Sequence, residues 1–201
     1  LKHVAVLISG RGSNLGSLID AADGHYKIIL VISNIAGAAG LDRASAAGIP
    51  TAVIPHVGPL GEKKTREAFD GEVDAALRAA DAELVVLAGF MRILSDGFVR
   101  GWEGRLINIH PSLLPAYKGT RVHERVLEAQ EALSGASVHF VVPELDAGPV
   151  IAQASVPVHP SDTPQTLTDR VLQVEHKLYP EALRLLAADK VKLRNGLAVF
   201  S

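Results

Sequence analysis

The chain has 201 residues, 48% of them apolar, and 20 Lys and Arg against 22 Asp and Glu give a formal net charge of −2. That length buries one sizeable core without staples, and the absence of cysteine removes disulfide frameworks, thiolate metal sites and cysteine nucleophiles together. A near-neutral charge with no Lys/Arg-rich block argues against a nucleic-acid partner, and the apolar runs are far shorter than the roughly 20 residues of a membrane-spanning helix.

In chain order, Val4-Ala5-Val6-Leu7-Ile8 is a continuous apolar run ended by glycines, the pattern of a buried parallel strand. No signal-peptide layout precedes it, so the expected location is cytoplasmic. Strands are predicted again at Ile28–Ile32, Thr51–Ile54, Leu84–Ala88 and Leu106–Ile109, with helices at about Leu15–Ala22, Leu41–Ala47 and Thr65–Ala80. Ser137–Val142 and Val150–Val158, joined by the turn Asp146-Ala147-Gly148-Pro149, read as an antiparallel hairpin. Thr163-Pro164 supplies an N-cap and first-turn proline for a long helix whose apolar stripe is Leu167, Val171, Val174 and Leu178. Asn195-Gly196 marks a terminal hairpin.

The expected fold class is α/β, an open, mostly parallel twisted sheet of about seven strands with helices on both faces. Its N-terminal half is Rossmann-like and its C-terminal half mixed. No repeat or linker divides the chain, so residues 1–201 are expected to form a single domain, with a phosphate-binding half to about residue 105 and a catalytic half from about 106.

Three segments could carry chemistry. Ser9-Gly10-Arg11-Gly12-Ser13-Asn14 lies between the first strand and its helix, where glycines let the backbone approach a ligand and the helix N-terminus favours an anion. It lacks the Lys of a Walker loop, and Leu15 replaces the last glycine of a dinucleotide fingerprint, so a monophosphate fits best. A simple tight turn with a helix cap is the structural alternative. Asn108-Ile109-His110-Pro111-Ser112-Leu113-Leu114-Pro115 places Asn108 and His110 on one face at the carboxyl end of a strand, where open α/β sheets put ligands. An amide beside an imidazole suits the oxyanion formed when an amine attacks a carbonyl carbon, although an isolated histidine is more often a satisfied core residue. Asp146, in Glu144-Leu145-Asp146-Ala147-Gly148-Pro149, would keep His110 charged if held beside it, or simply serves the turn.

Together with Leu87-Ala88-Gly89-Phe90-Met91-Arg92-Ile93-Leu94 and Ser137-Val138-His139-Phe140-Val141, these segments closely resemble the folate-dependent formyltransferases, and among them the phosphoribosylglycinamide formyltransferases of purine synthesis. The resemblance covers nearly the whole chain. It implies 10-formyltetrahydrofolate as co-substrate, glycinamide ribonucleotide as acceptor and no metal. Asn108, His110 and Asp146 would be catalytic, with the first two holding the oxyanion and Asp146 organising the proton relay. The acceptor would lie on Gly12, Ser13 and Asn14 and on Leu172, Gln173, Val174 and Glu175 of the long helix. The folate would lie on Arg66, Met91, Arg92, Ile93, Leu94 and Asn108, and on Val142, Pro143, Glu144, Leu145 and Asp146. Leu172 stands where the family often has a longer polar residue, Arg11 where a smaller one is common, and Arg121 where relatives often carry a histidine. His139 reads as buried behind the site, and the loop at Lys118 to His123 receives no role. Monomer and homodimer both remain open.

The alternatives are a formyltetrahydrofolate deformylase, in which water is the nucleophile, and a non-catalytic nucleotide-binding module. A deformylase or a tRNA-directed formyltransferase would be expected to carry an additional domain, and a binding module has no use for the Asn108, His110 and Asp146 combination.

Overall fold

Val4 to Ile8 are fully buried, as a strand with apolar side chains on both faces requires. In the computed structural model, which describes residues 1–201, this run is the centre of β1 (Lys2–Ile8). There follow α1 (Ser13–Asp20), β2 (Tyr26–Ser33), α2 (Ala39–Ala46), β3 (Thr51–Val53), α3 (Arg66–Ala79), β4 (Leu84–Leu87) and α4 (Asp96–Gly101). The second half contains β5 (Leu106–His110), α5 (Val122–Glu128), β6 (Leu133–Phe140), β7 (Val150–Pro157), α6 (Pro164–Ala187), β8 (Val191–Arg194) and β9 (Leu197–Phe200). Seven strands form one sheet in the order β3-β2-β1-β4-β5-β6-β7, and β8 and β9 form a hairpin of their own. The pairs β1/β2, β1/β4 and β2/β3 are parallel, while β5/β6 and β6/β7 are antiparallel. This is the mostly parallel α/β sheet expected from the alternation of elements.

By contacts the chain divides into two compact units, Leu1–Leu106 and Ile107–Ser201. In the first, the order of strands reverses between β1 and β4, and ligands of open α/β sheets bind beyond the carboxyl ends of strands at such a point. The Gly-rich turn leaves the end of β1 and Ala88–Leu94 leaves the end of β4. Ser9 joins them, its hydroxyl accepting from the Met91 N–H at 2.8 Å and donating to Asn34 Oδ1.

Three helices, α3, α4 and α6, start where a side chain caps their first N–H groups. Thr65 Oγ1 accepts from the Ala68 N–H at 3.1 Å to open α3, and Ser95 caps α4 through the Phe98 N–H at 3.3 Å. Thr163 and Thr166 form a reciprocal capping box ahead of Pro164 at the start of α6. That helix runs 24 residues through Pro180. The proline removes one i→i−4 bond, but Tyr179, Ala182, Leu183 and Leu186 remain buried around it, and α6 packs on β6 and β7, so tertiary packing carries the helix past the break.

Three details depart from the sequence-based expectation. The helices α4 and α5 are too short for an apolar period to reveal them. Strand β6 begins at Leu133 and ends at Phe140, so Val141 and Val142 belong to a longer connection and not to the strand. The buried stripe of α6 runs Leu167, Val171, Glu175 and Leu178, with Val174 only half-buried. Glu175, at i+4 from Val171, thus takes the inward place in the stripe where Val174, at i+3, was expected.

The start of α6 also carries an ion pair. Arg170 forks onto both carboxylate oxygens of Asp162 at 2.7 and 2.9 Å, while Asp162 also accepts from the His159 N–H at 2.7 Å. The guanidinium, then the His159 amide, holds the Asp162 carboxyl well below the usual carboxylate range. A depressed folded-state value stabilises the fold above the unfolded-state pKa of about 4, and that contribution is lost as pH falls toward the folded-state value. Asp162→Asn is therefore expected to lower the Tm at about pH 7 and to make less difference at about pH 3. Thermal melts of both proteins at the two pH values check this.

Candidate active site

Antiparallel pairing of β5 with β6 sets Asn108 directly opposite His139 and His110 directly opposite Ser137. Residues two apart on β5 share a face, so Asn108, His110, His139 and Ser137 form one polar patch inside an otherwise apolar sheet. The β6–β7 connection completes it. His110 Nδ1 lies 3.5 Å from Asp146 Oδ2, and His139 Nε2 lies 3.9 Å from Asp146 Oδ1. Asn108 Nδ2 is 3.4 Å from His139 Nε2. The side chains of His110, His139 and Asp146 are 7%, 3% and 7% exposed. The structure therefore brings together all three residues expected to be catalytic and adds His139 as a contact partner.

Asp146 reaches this position from a backbone φ of 50°, a left-handed conformation that Asp tolerates better than most residues. Turn propensity and chemical role thus coincide at one residue. Just after it, Gly148 packs so closely that a Cβ there would run into the Phe140 carbonyl.

A second layer comes from the loop after β5. The Tyr117 carbonyl lies 2.8 Å from His110 Nε2, and the Gly119 N–H donates to Asp146 Oδ2 at 2.8 Å. The loop is tied from below, because Ser137 Oγ donates to the Ser112 carbonyl at 2.7 Å and accepts from the Leu114 N–H at 3.0 Å. Gln153 Nε2 donates to the Leu114 carbonyl at 2.8 Å. From α5, Arg125 donates to the carbonyls of Lys118 and Thr120 at 2.6 and 3.1 Å. Sequence reasoning missed Tyr117 and Gly119 because they act through backbone atoms, which leave no side-chain signature. It missed Ser137 and Gln153 because their partners are distant in sequence, and Arg125 because its partners, though near in sequence, are backbone carbonyls.

Both His110 nitrogens thus face oxygen atoms, Asp146 Oδ2 on one side and the Tyr117 carbonyl on the other. For His139, burial pushes the imidazole below its ordinary value, against the Phe140 carbonyl and Asp146, which favour the charged form. Burial also lowers His123 on α5. No group of three or more His, Asp or Glu side chains is arranged to hold a metal ion.

In the N-terminal unit, Gly12 enters α1 at φ 68° with no side-chain cap on the helix. A Cβ there would come 2.8 Å from the Gly40 Cα, so only glycine fits. The turn is clamped from α2, where the Gly40 N–H donates to the Gly10 carbonyl at 3.0 Å and Arg43 Nε donates to the Arg11 carbonyl at 3.2 Å. Ser13 is half-buried and Asn14 is buried, while Arg11 points to the exposed side.

The remaining expected ligand residues fall as follows. Met91 and Ile93 are 79% and 60% exposed, which rules out ordinary core for them, whereas Leu94 is core. The Arg92 guanidinium lies over the Phe69 ring at 5.3 Å, and Arg66 is an exposed residue in the first turn of α3. In the C-terminal unit Val142 is half-buried, Pro143, Glu144 and Leu145 are exposed, Leu172 is half-buried, Gln173 is exposed and Glu175 is buried.

Residues 2–183 match the formyl transferase family, and the chain belongs to that family. Among curated relatives, the phosphoribosylglycinamide formyltransferase of Escherichia coli strain K12 is 45% identical over 98% of this chain and 92% of its own. The trifunctional purine biosynthetic protein adenosine-3 of Bos taurus is 51% identical over 96% of this chain, which spans 19% of that longer protein. The solved phosphoribosylglycinamide formyltransferase of Coxiella burnetii superposes with a TM-score of 0.92 at 46% identity, covering 99% of this chain and 93% of that one.

The close fit of Gly148 makes the position of Asp146 testable. Gly148→Ala is expected to displace the turn and lower turnover by about tenfold or more, since catalytic groups lose much of their effect when shifted by about an ångström. Kinetics with a thermal melt check this; wild-type turnover would show that the turn does not set the chemistry.

Proposed function

We propose that this chain transfers the formyl group of 10-formyltetrahydrofolate to the amine of N1-(5-phosphoribosyl)glycinamide, giving the N-formyl product and tetrahydrofolate in purine biosynthesis. The observation that carries this reading is the cluster of a half-buried Asn108 with His110 and Asp146, whose side chains are each 7% exposed. An amide donor, an imidazole and a carboxylate are what direct acyl transfer to an amine requires.

In the proposed reaction the amine nitrogen attacks the formyl carbon and the carbonyl π electrons move to oxygen. Asn108 Nδ2–H and His110 stabilise the resulting oxyanion, which differs from the starting carbonyl in charge, so their effect falls on the transition state. Asp146 stabilises the charged ring of His110 and orders the water that takes a proton from the attacking amine. A proton is delivered to N10 of the folate, with His110 as the general acid, and the C–N10 bond breaks as the oxyanion collapses. The Tyr117 carbonyl on His110 Nε2 would give way as the formyl oxygen arrives.

The acceptor phosphate is assigned to Gly12, Ser13 and Asn14, since the positive end of a helix favours an anion, and the rest of the acceptor to Leu172, Gln173, Val174 and Glu175. The buried position of Glu175 supports this, since a carboxylate set into an apolar stripe is seldom placed there for packing alone. The folate is assigned to Arg66, Met91 to Leu94, Asn108 and Val142 to Asp146. The exposed Met91, Ile93 and Leu145 offer apolar surface for a flat ring system. No metal takes part in this scheme. No helix of the chain is long and apolar enough to cross a membrane, and a cytoplasmic location accords with the small, charged substrates.

Purified protein is expected to consume 10-formyltetrahydrofolate only when glycinamide ribonucleotide is added; equal consumption without it would indicate hydrolysis instead. Asp146→Asn is expected to lower kcat by about 10²-fold or more, with little change in substrate binding, because its effect is on proton chemistry. Steady-state kinetics and equilibrium binding separate the two, and unchanged kcat would remove Asp146 from the mechanism. An acceptor lacking its phosphate is expected to show a strongly raised KM; comparable affinity would place the anion elsewhere.

A further inference from the structure

Asn108 and His139 are directly opposed across β5 and β6, and their contact fixes a feature that the position of Asn108 alone leaves undetermined. A carboxamide can present either its oxygen or its NH₂ group to a substrate. Only the NH₂ end can hold an oxyanion; the oxygen would repel it.

The tautomer of His139 decides between them. Its Nδ1 lies 3.0 Å from the Phe140 carbonyl oxygen, which can only accept, so Nδ1 carries a proton. The competing arrangement puts the proton on Nε2, toward Asp146 Oδ1 at 3.9 Å. That distance is too long for a hydrogen bond, and the swap would leave two lone pairs facing each other at Nδ1 in a residue that is 2% exposed. Burial also keeps the ring uncharged, against Asp146 on the β6–β7 connection and the Phe140 carbonyl, and with the repulsion of His110 on β5. Nε2 is therefore a bare lone pair, 3.4 Å from Asn108 Nδ2.

We propose that His139 is a positioning residue for Asn108: with its tautomer set by the Phe140 carbonyl, its Nε2 accepts from one Nδ2 proton and turns the other toward the reacting oxygen. The chain of contacts is Phe140 C=O, His139 Nδ1–H, His139 Nε2 and Asn108 Nδ2–H. It rests on the catalytic role proposed for Asn108.

A double-variant cycle tests it. His139→Phe removes the acceptor and is expected to lower kcat by about 10- to 100-fold, with a smaller change in KM. In an Asn108→Ala background the same substitution is expected to cost less than about threefold, because its effect passes through the missing amide. His139→Gln, whose Oε1 can take the place of Nε2 as acceptor, is expected to restore most of the turnover. Thermal melts confirm that each variant is folded. In the wild-type protein, long-range ¹H–¹⁵N spectra are expected to show His139 protonated at Nδ1 and not at Nε2 near neutral pH. An equal loss in both backgrounds, failure of the folded Gln variant, or the opposite tautomer would overturn the proposal. Wild-type turnover by Asn108→Ala alone would instead remove the catalytic assignment of Asn108, and the proposal with it, and that failure is read separately in the single variant.

Discussion

The pair of His110 and Asp146 is the contact around which the rest of the site is arranged. The imidazole and the carboxylate face each other at 3.5 Å with each side chain only 7% exposed, so little water can reach their polar atoms. Placing charge there is costly unless every polar atom finds a partner. The structure provides partners from both sides, with the Tyr117 carbonyl on the ring and the Gly119 N–H on the carboxylate. Much of the local architecture serves that requirement. Antiparallel β5 and β6 supply the imidazoles, the β6–β7 connection supplies the acid, and the loop after β5 supplies the backbone groups.

The antiparallel direction of β6 is what gives this arrangement: it sets His139 directly against Asn108 and His110 against Ser137, and Ser137 holds the loop after β5. The same packing leaves little freedom to the backbone. Gly148 has no room for a side chain against Phe140, and Gly12 has none against Gly40, so both the turn that carries Asp146 and the turn before α1 are held by glycine contacts.

The sheet strands were legible because buried strands read as uninterrupted apolar runs, Val4–Ile8 and Leu84–Leu87 above all. Asn108 and His110 were legible as a pair because strand periodicity puts them on one face. Asp146 was not, since an aspartate in a turn looks the same whether or not an imidazole stands beside it; the family resemblance supplied that link, and the structure sets the two side chains 3.5 Å apart. Glu175 illustrates the opposite failure. Local periodicity allowed Val174 or Glu175 to face inward, and hydrophobicity favoured the valine, while the fold buries the glutamate. The short helices α4 and α5 and the backbone partners of His110 escaped notice because neither leaves an apolar period or a side-chain pattern.

In the proposed reaction Asn108 and His110 act on negative charge at the former carbonyl oxygen. The most direct measurement is the affinity of a folate analogue bearing a hydrated aldehyde, a stable mimic of the tetrahedral intermediate, for the wild-type protein and for Asn108→Ala and His110→Ala. Each substitution is expected to weaken binding of the mimic by about the factor by which it lowers kcat/KM, because both quantities report the same oxyanion contacts. Mimic affinities that stay at the wild-type level while turnover falls would contradict it and assign these side chains to some other step.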